Sequence, residues 1–153
     1  MNINRSITVL LVIPFLLTMA SSSAGQDTKE IYMEGLDNLR FSVEEITVSP
    51  GRQVEVTLKT ISTLPKEQMA HNFVLLKKKT DVTAFANESL KHKESGYIAP
   101  DMEDRIIVRT EMLGDGETDT VTFKAPSEPG EYEYICTFPG HYHAGMKGVL
   151  IVK

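Results

Sequence analysis

Paired cysteines, a long apolar run and an Arg-rich stretch are all missing from this chain of 153 residues. Its one cysteine, Cys136, cannot form an internal disulfide, so stability has to come from a packed core or a bound group. The longest apolar run, residues 7–19, is thirteen positions long. That falls short of the roughly 20 a bilayer-spanning helix needs, so no stable membrane insertion is expected. No Arg-rich stretch occurs, and 21 acidic residues outweigh 16 basic ones for a formal charge of −5. This balance lacks the electrostatic footprint of a general nucleic-acid binder. There is no internal repeat and no low-complexity linker, and one ordinary domain uses up the length. With 41% hydrophobic and 24% charged residues, the composition is that of a folded globular chain and excludes a disordered or collagen-like one.

The N-terminus starts with Asn4-Arg5, continues through the apolar run and ends in Ala20-Ser21-Ser22-Ser23-Ala24. A positive start, a short hydrophobic stretch and a small-residue exit describe a secretory signal peptide over residues 1–24, leaving 25–153 as a single mature domain. No cysteine follows the run, which removes the usual attachment point for a bacterial lipid. Cleavage takes away Arg5 and no acid, so the mature chain is more acidic still. Export makes the lone thiol conspicuous, because Cys136 would oxidise or pair between chains unless it is buried or bound.

Beyond the signal, apolar residues recur mostly with period two, the pattern of half-buried strands. Residues 40–48 place Phe41 and Val43 on one face, then Ile46 and Val48, with a phase shift at Glu44-Glu45 that predicts a bulge or bend. Val54, Val56 and Leu58 alternate with Glu55, Thr57 and Lys59. Residues 71–76 are apolar on both sides and read as a buried strand; 105–109, 120–124, 131–136 and 148–152 complete the set. Ser49-Pro50-Gly51, Gly114-Asp115-Gly116 and Ser127-Glu128-Pro129-Gly130 mark turns. Val82, Phe85, Ala86 and Leu90 instead fall at helical spacing, predicting one short helix within residues 80–93, capped by Thr80 or Asp81. The Lys77-Lys78-Lys79 run before it reads as solvated surface. The expected fold is all-β, a sandwich or small barrel of seven to eight strands with one inserted helix.

The densest chemistry lies in Cys136-Thr137-Phe138-Pro139-Gly140-His141-Tyr142-His143-Ala144-Gly145-Met146. A thiolate, an imidazole five residues on and a thioether five beyond that share one loop between the last two strands. Adding His71 from the buried upstream strand gives two imidazoles, one thiolate and one thioether. Soft sulfur with two imidazoles selects copper, and a His₂Cys plane with a weak axial Met is the arrangement of blue-copper electron-transfer sites. His143 could ligate in place of His141, which would lengthen the gap from Cys136 to six residues; otherwise it is an exposed loop histidine. His92 in the helical segment reads as surface, and Tyr132 and Tyr134, on the face of Cys136, as packing.

His71-Asn72-Phe73-Val74-Leu75 with Cys136-Thr137-Phe138-Pro139-Gly140-His141 and Met146-Lys147-Gly148 resembles the azurin and auracyanin branch of the cupredoxins, over about residues 41–153. The resemblance implies a Greek-key cupredoxin-like β-sandwich holding one type 1 copper ion. It implies ligands at His71, Cys136, His141 and Met146, with the Ala70 carbonyl as a second, weak axial contact. It also implies that Asn72 ties the two ligand segments together and that the N–H groups of Asn72 and Phe138 donate to the Cys136 sulfur. Four residues separate His141 from Met146, as in auracyanins and plastocyanins; azurins have three there, and the azurin disulfide is absent here.

The function this implies is exported, periplasmic single-electron shuttling by Cu(II)/Cu(I) cycling, without enzymatic turnover. The implied docking surface is Leu64, Met69, Phe138, Pro139 and His141, and the implied partners are other redox proteins such as c-type cytochromes, a copper reductase or a terminal oxidase. The alternative is a small copper enzyme or a copper carrier with an open or altered axial position, in which Met146 is displaced. A cysteine hydrolase built on Cys136 would need an orienting group and an oxyanion site that the sequence does not display.

Overall fold

The computed structural model describes residues 27–153, so the expected signal segment over residues 1–24 lies outside the described residues. Among the described residues nine strands form two sheets, with one α-helix and two 3₁₀ turns inserted between strands. The strands are β1 Lys29–Leu36, β2 Arg40–Phe41, β3 Glu45–Val48, β4 Gln53–Ile61, β5 Val74–Leu76, β6 Ile106–Arg109, β7 Thr118–Lys124, β8 Gly130–Ile135 and β9 Lys147–Val152. One sheet runs β2-β1-β4-β7 and the other β3-β9-β8-β5-β6. Pairing is parallel between β1 and β4 and between β3 and β9, and antiparallel elsewhere.

The phase shift at Glu44-Glu45 is more than a bulge. It is where the chain leaves one sheet for the other: β2 pairs with β1, while β3 pairs with β9. Phe41, Ile46 and Val48 thereby all reach the same core from opposite layers. β4 alternates as its sequence dictates, with Val54, Val56, Leu58 and Thr60 buried.

β1 was not expected from the sequence. Its inward positions are Ile31, Met33 and Gly35, and its outward ones include Tyr32, 59% exposed. Gly35 supplies no apolar side chain at an inward position and Tyr32 supplies one outside, so the period-two pattern is obscured.

Residues 71–76 are buried on both sides because each side meets a different core. Phe73 and Leu75 join the main one between the sheets, with Met33, Val56, Tyr134 and Leu150. Val74 and Leu76 join a smaller one with Phe85, Ala86, Ile98 and Ile135 under the helix. Regular pairing starts only at Val74; upstream, His71 makes a single bridge to Leu113 and the Phe73 N–H donates to Thr110 Oγ1.

The helix, α1 Val82–Ser89, is shorter than expected and is capped by Asp81, whose carboxylate accepts from the Ala84 N–H at 2.9 Å. Phe85, Ala86 and Ser89 face inward, while Leu90 falls past the last turn and stays 39% exposed. Burying Phe85 contributes about 2–3 kcal/mol to holding α1 on the outer face of β5 and β8. Of the lysine run, Lys78 is tied to Glu128 at 2.7 Å.

Candidate metal centre

Four residues from two chain segments meet at one end of the sandwich. The bridge residue His71 arrives just ahead of β5, Cys136 sits immediately after β8, and His141 and Met146 lie on the loop leading to β9. Cys136 Sγ is 3.9 Å from His71 Nδ1 and 3.5 Å from His141 Nδ1. One potential ligand atom from each of these residues lies within 4.8 Å of the other two, and all three residues are buried. Metal–sulfur and metal–nitrogen bonds of about 2.3 and 2.1 Å at 120° place donors about 3.8 Å apart, which the two sulfur–nitrogen separations match. Met146 is wholly buried beside them; its N–H donates to the His141 carbonyl at 2.9 Å and its carbonyl accepts from the Cys136 N–H at 3.2 Å. The Ala70 carbonyl faces the Cys136 thiol at 3.9 Å.

Burial sets the protonation of the cluster. Removal from water pushes the Cys136 thiol up to about 12, opposed by the Asn72 and Phe138 N–H groups that point at its sulfur. Burial likewise holds His71 and His141 down at about 4, with mutual repulsion adding to the effect on His71. Near neutral pH the imidazoles therefore keep free ring-nitrogen lone pairs while the thiol keeps its proton until a metal displaces it. A buried thiol raised in this way is a poor nucleophile, which disfavours the cysteine-hydrolase reading.

The two segments that carry these donor atoms are joined by a reciprocal pair of hydrogen bonds. Asn72 Nδ2 donates to Thr137 Oγ1 at 2.8 Å, and the Thr137 N–H donates to Asn72 Oδ1 at 2.8 Å. Thr137, which sequence reasoning passed over, is thus the other half of this tie; its adjacency to Cys136 was the available signal. Within the loop, Ala144 N–H bonds to Gly140 O and Gly145 N–H to Tyr142 O, both at 2.9 Å, and Gly145 takes φ +101°. A loop with four residues between His141 and Met146 needs that positive φ to turn back toward β9.

His143 is not brought to the cluster: it is exposed, and its Nε2 meets Asn87 Oδ1 on α1 at 2.8 Å. Tyr142 makes a parallel contact, its hydroxyl 3.1 Å from Thr83 Oγ1. His92 lies away from the site, 3.5 Å from Glu88. Tyr132 and Tyr134 are core residues whose hydroxyls donate to the carbonyls of Glu128 and Val43. Of the expected docking residues, Leu64 and Pro139 are exposed and Met69 and Phe138 half-buried, while the His141 ring lies tilted against Phe138 with centroids 4.7 Å apart and keeps 4% of its surface exposed.

Comparison with known proteins agrees with this geometry. A family model described as copper binding proteins, plastocyanin/azurin family, matches residues 28–153. The chain is 42% identical over 120 residues to azurin-1 of Alcaligenes xylosoxydans xylosoxydans, covering 76% of this chain and 91% of that one. It is 34% identical over 124 residues to azurin of Alcaligenes faecalis, covering 79% and 95%. The structure of auracyanin A, a "blue" copper protein from Chloroflexus aurantiacus, superposes with a TM-score of 0.73 at 33% identity, covering 83% of this chain and all of that one. With a copper-binding model spanning nearly every described residue and the soft donors gathered in one buried pocket, the chain belongs to the plastocyanin/azurin family of blue copper proteins.

Proposed function

We propose that this chain is an exported carrier of single electrons, in which His71, Cys136 and His141 would hold copper strongly and Met146 and the Ala70 carbonyl would add weak contacts. The observation that carries this reading is the convergence of one thiol sulfur and two imidazole Nδ1 atoms in a buried pocket, 3.5 and 3.9 Å apart. Bound copper supplies a one-electron Cu(II)/Cu(I) couple there. The protein's own part is to hold the donor atoms in place: Asn72 and Thr137 lock the two segments, and the N–H groups of Asn72 and Phe138 would temper the charge on a metal-bound sulfur. A rigid cage with no position left for substrate suits outer-sphere transfer and does not suit turnover.

The small part of His141 that stays in contact with solvent, beside Phe138 and with Leu64, Met69 and Pro139 as the further docking residues, is the proposed point of electron entry and exit. Apolar residues at such a point suit brief encounters with other redox proteins, such as c-type cytochromes, a copper reductase or a terminal oxidase. The signal-like residues 1–24 support export to the periplasm, with 25–153 as the mature domain.

The test is spectroscopic. Cu(II) added to the reduced apo-protein should give an intense blue or green colour, and Cys136→Ser should abolish it. A colourless Cu(II) complex of the unsubstituted protein counts against the assignment, and a clear spectral change on adding azide or nitrite would favour an open-site enzyme.

A further inference from the structure

The β1–β2 hairpin touches both halves of the metal centre without contributing a ligand. At its near end, a Cβ on Gly35 would fall 2.8 Å from Cγ and Cδ2 of His71, so the strand lies flat against that imidazole only as glycine. At its far end, Arg40 Nη1 donates to the Ala144 carbonyl at 2.7 Å and to its neighbour's carbonyl, Leu39 O, at 2.8 Å. The guanidinium also covers Gly145, where a Cβ would meet Nη1 at 3.0 Å and Cζ at 3.1 Å. Glu44 lies 3.8 Å from Arg40 Nε. Between the two ends, Leu39 holds φ +58°, a conformation that costs a bulky residue about 1–3 kcal/mol. Its N–H closes the turn onto Leu36 O at 2.9 Å, and its carbonyl is the one Arg40 uses.

We propose that Arg40 is a positioning residue for the copper site: a clasp from the opposite sheet that pins the outer bend of the His141–Met146 loop. The proposal rests on the copper reading above. Ala144 and Gly145 directly precede Met146, and the loop's other restraints on this side are its own turn bonds. The clasp closes the loop against β2 and so slows the opening through which a bound ion would leave. It also fixes the direction from which the residues after His141 return to the pocket. One nitrogen, Nη1, holds both carbonyls while the flat guanidinium covers Gly145; a lysine ammonium can donate to carbonyls but has no flat face to lay on the glycine.

The experiment compares the copper-loaded protein with Arg40→Gln, Arg40→Lys and, as a control, Arg52→Gln, an arginine paired with Asp27 outside the site. Three quantities are read: the rate of copper transfer to an excess of chelator, the hyperfine splitting of the Cu(II) EPR signal, and the melting temperature of the apo-protein. Arg40→Gln should release copper about fivefold faster, the effect of losing a partly exposed charge-assisted bond, and should change the splitting. Arg40→Lys should fall between, and Arg52→Gln should match the unsubstituted protein. Release and splitting unchanged in Arg40→Gln overturn the clasp. So does faster release with an unchanged splitting and a lowered apo melting temperature, which is general loosening. If the unsubstituted protein forms no coloured Cu(II) complex, the copper reading fails first and takes the clasp with it, before any substitution is compared.

Discussion

At the scale of single residues, the site is a contest between burial and ligation. Cys136, His71 and His141 all sit where their charged forms are disfavoured, so the apo-protein holds a protonated thiol and two neutral imidazoles. The histidines stay neutral in the folded chain down to about 4, whereas an unfolded histidine takes up a proton near its ordinary value of about 6.5. Between those values the unfolded state binds more protons, so apo stability should fall as the pH drops from about 6.5 toward 4. Chemical denaturation of the apo-protein across that window measures it, and a flat profile would refute the neutral-histidine account. Met146 belongs to the same scale. On the proposed reading its sulfur would add weak electron donation that an aliphatic side chain lacks, which steadies the higher charge of Cu(II), so Met146→Leu should leave copper bound and raise the reduction potential, as cyclic voltammetry would register. Loss of copper instead would make Met146 a structural necessity.

At the scale of elements, two strand ends and a loop are made to act as one body. The tie between Asn72 and Thr137 is buried and reciprocal, so cutting it strands a backbone N–H and a hydroxyl away from water. Asn72→Ala should therefore cost the apo-protein about 2–3 kcal/mol, read from the midpoint of a denaturant titration, while a surface change of similar size would cost far less. Residue types at fixed spacing made Cys136, His141 and Met146 readable from the sequence, because one short loop has few ways to present them. His71 was readable only through them, since a histidine on an apolar strand is otherwise an ordinary core residue. Thr137, Gly35 and Arg40 could not be read this way. Their roles depend on which segments lie against them, and their own residue types allow many neighbours.

Across the whole molecule, the two sheets enclose the main core and α1 roofs a second, smaller one, so the metal centre occupies one end of a scaffold that owes nothing to disulfides. No helix among the described residues is long and apolar enough to cross a membrane. If residues 1–24 are a cleaved signal, the mature protein exported by a Gram-negative host should begin at Gly25, as intact-mass measurement would reveal, and retention of Met1 would remove the export reading.

The sequence by itself determined the chemistry of the donors, the alternation that makes most of the strands, and the helix signal between β5 and β6. These are local: they follow from side-chain type and from periods of two or 3.6 residues. Only the tertiary structure decided that the chain changes sheets at Glu44-Glu45, that β1 exists with Gly35 against His71, that His143 turns outward to Asn87, and that Arg40 reaches the Ala144 carbonyl across 104 positions of chain. Contacts between distant segments are set by how two layers stack, and no local period encodes that stacking.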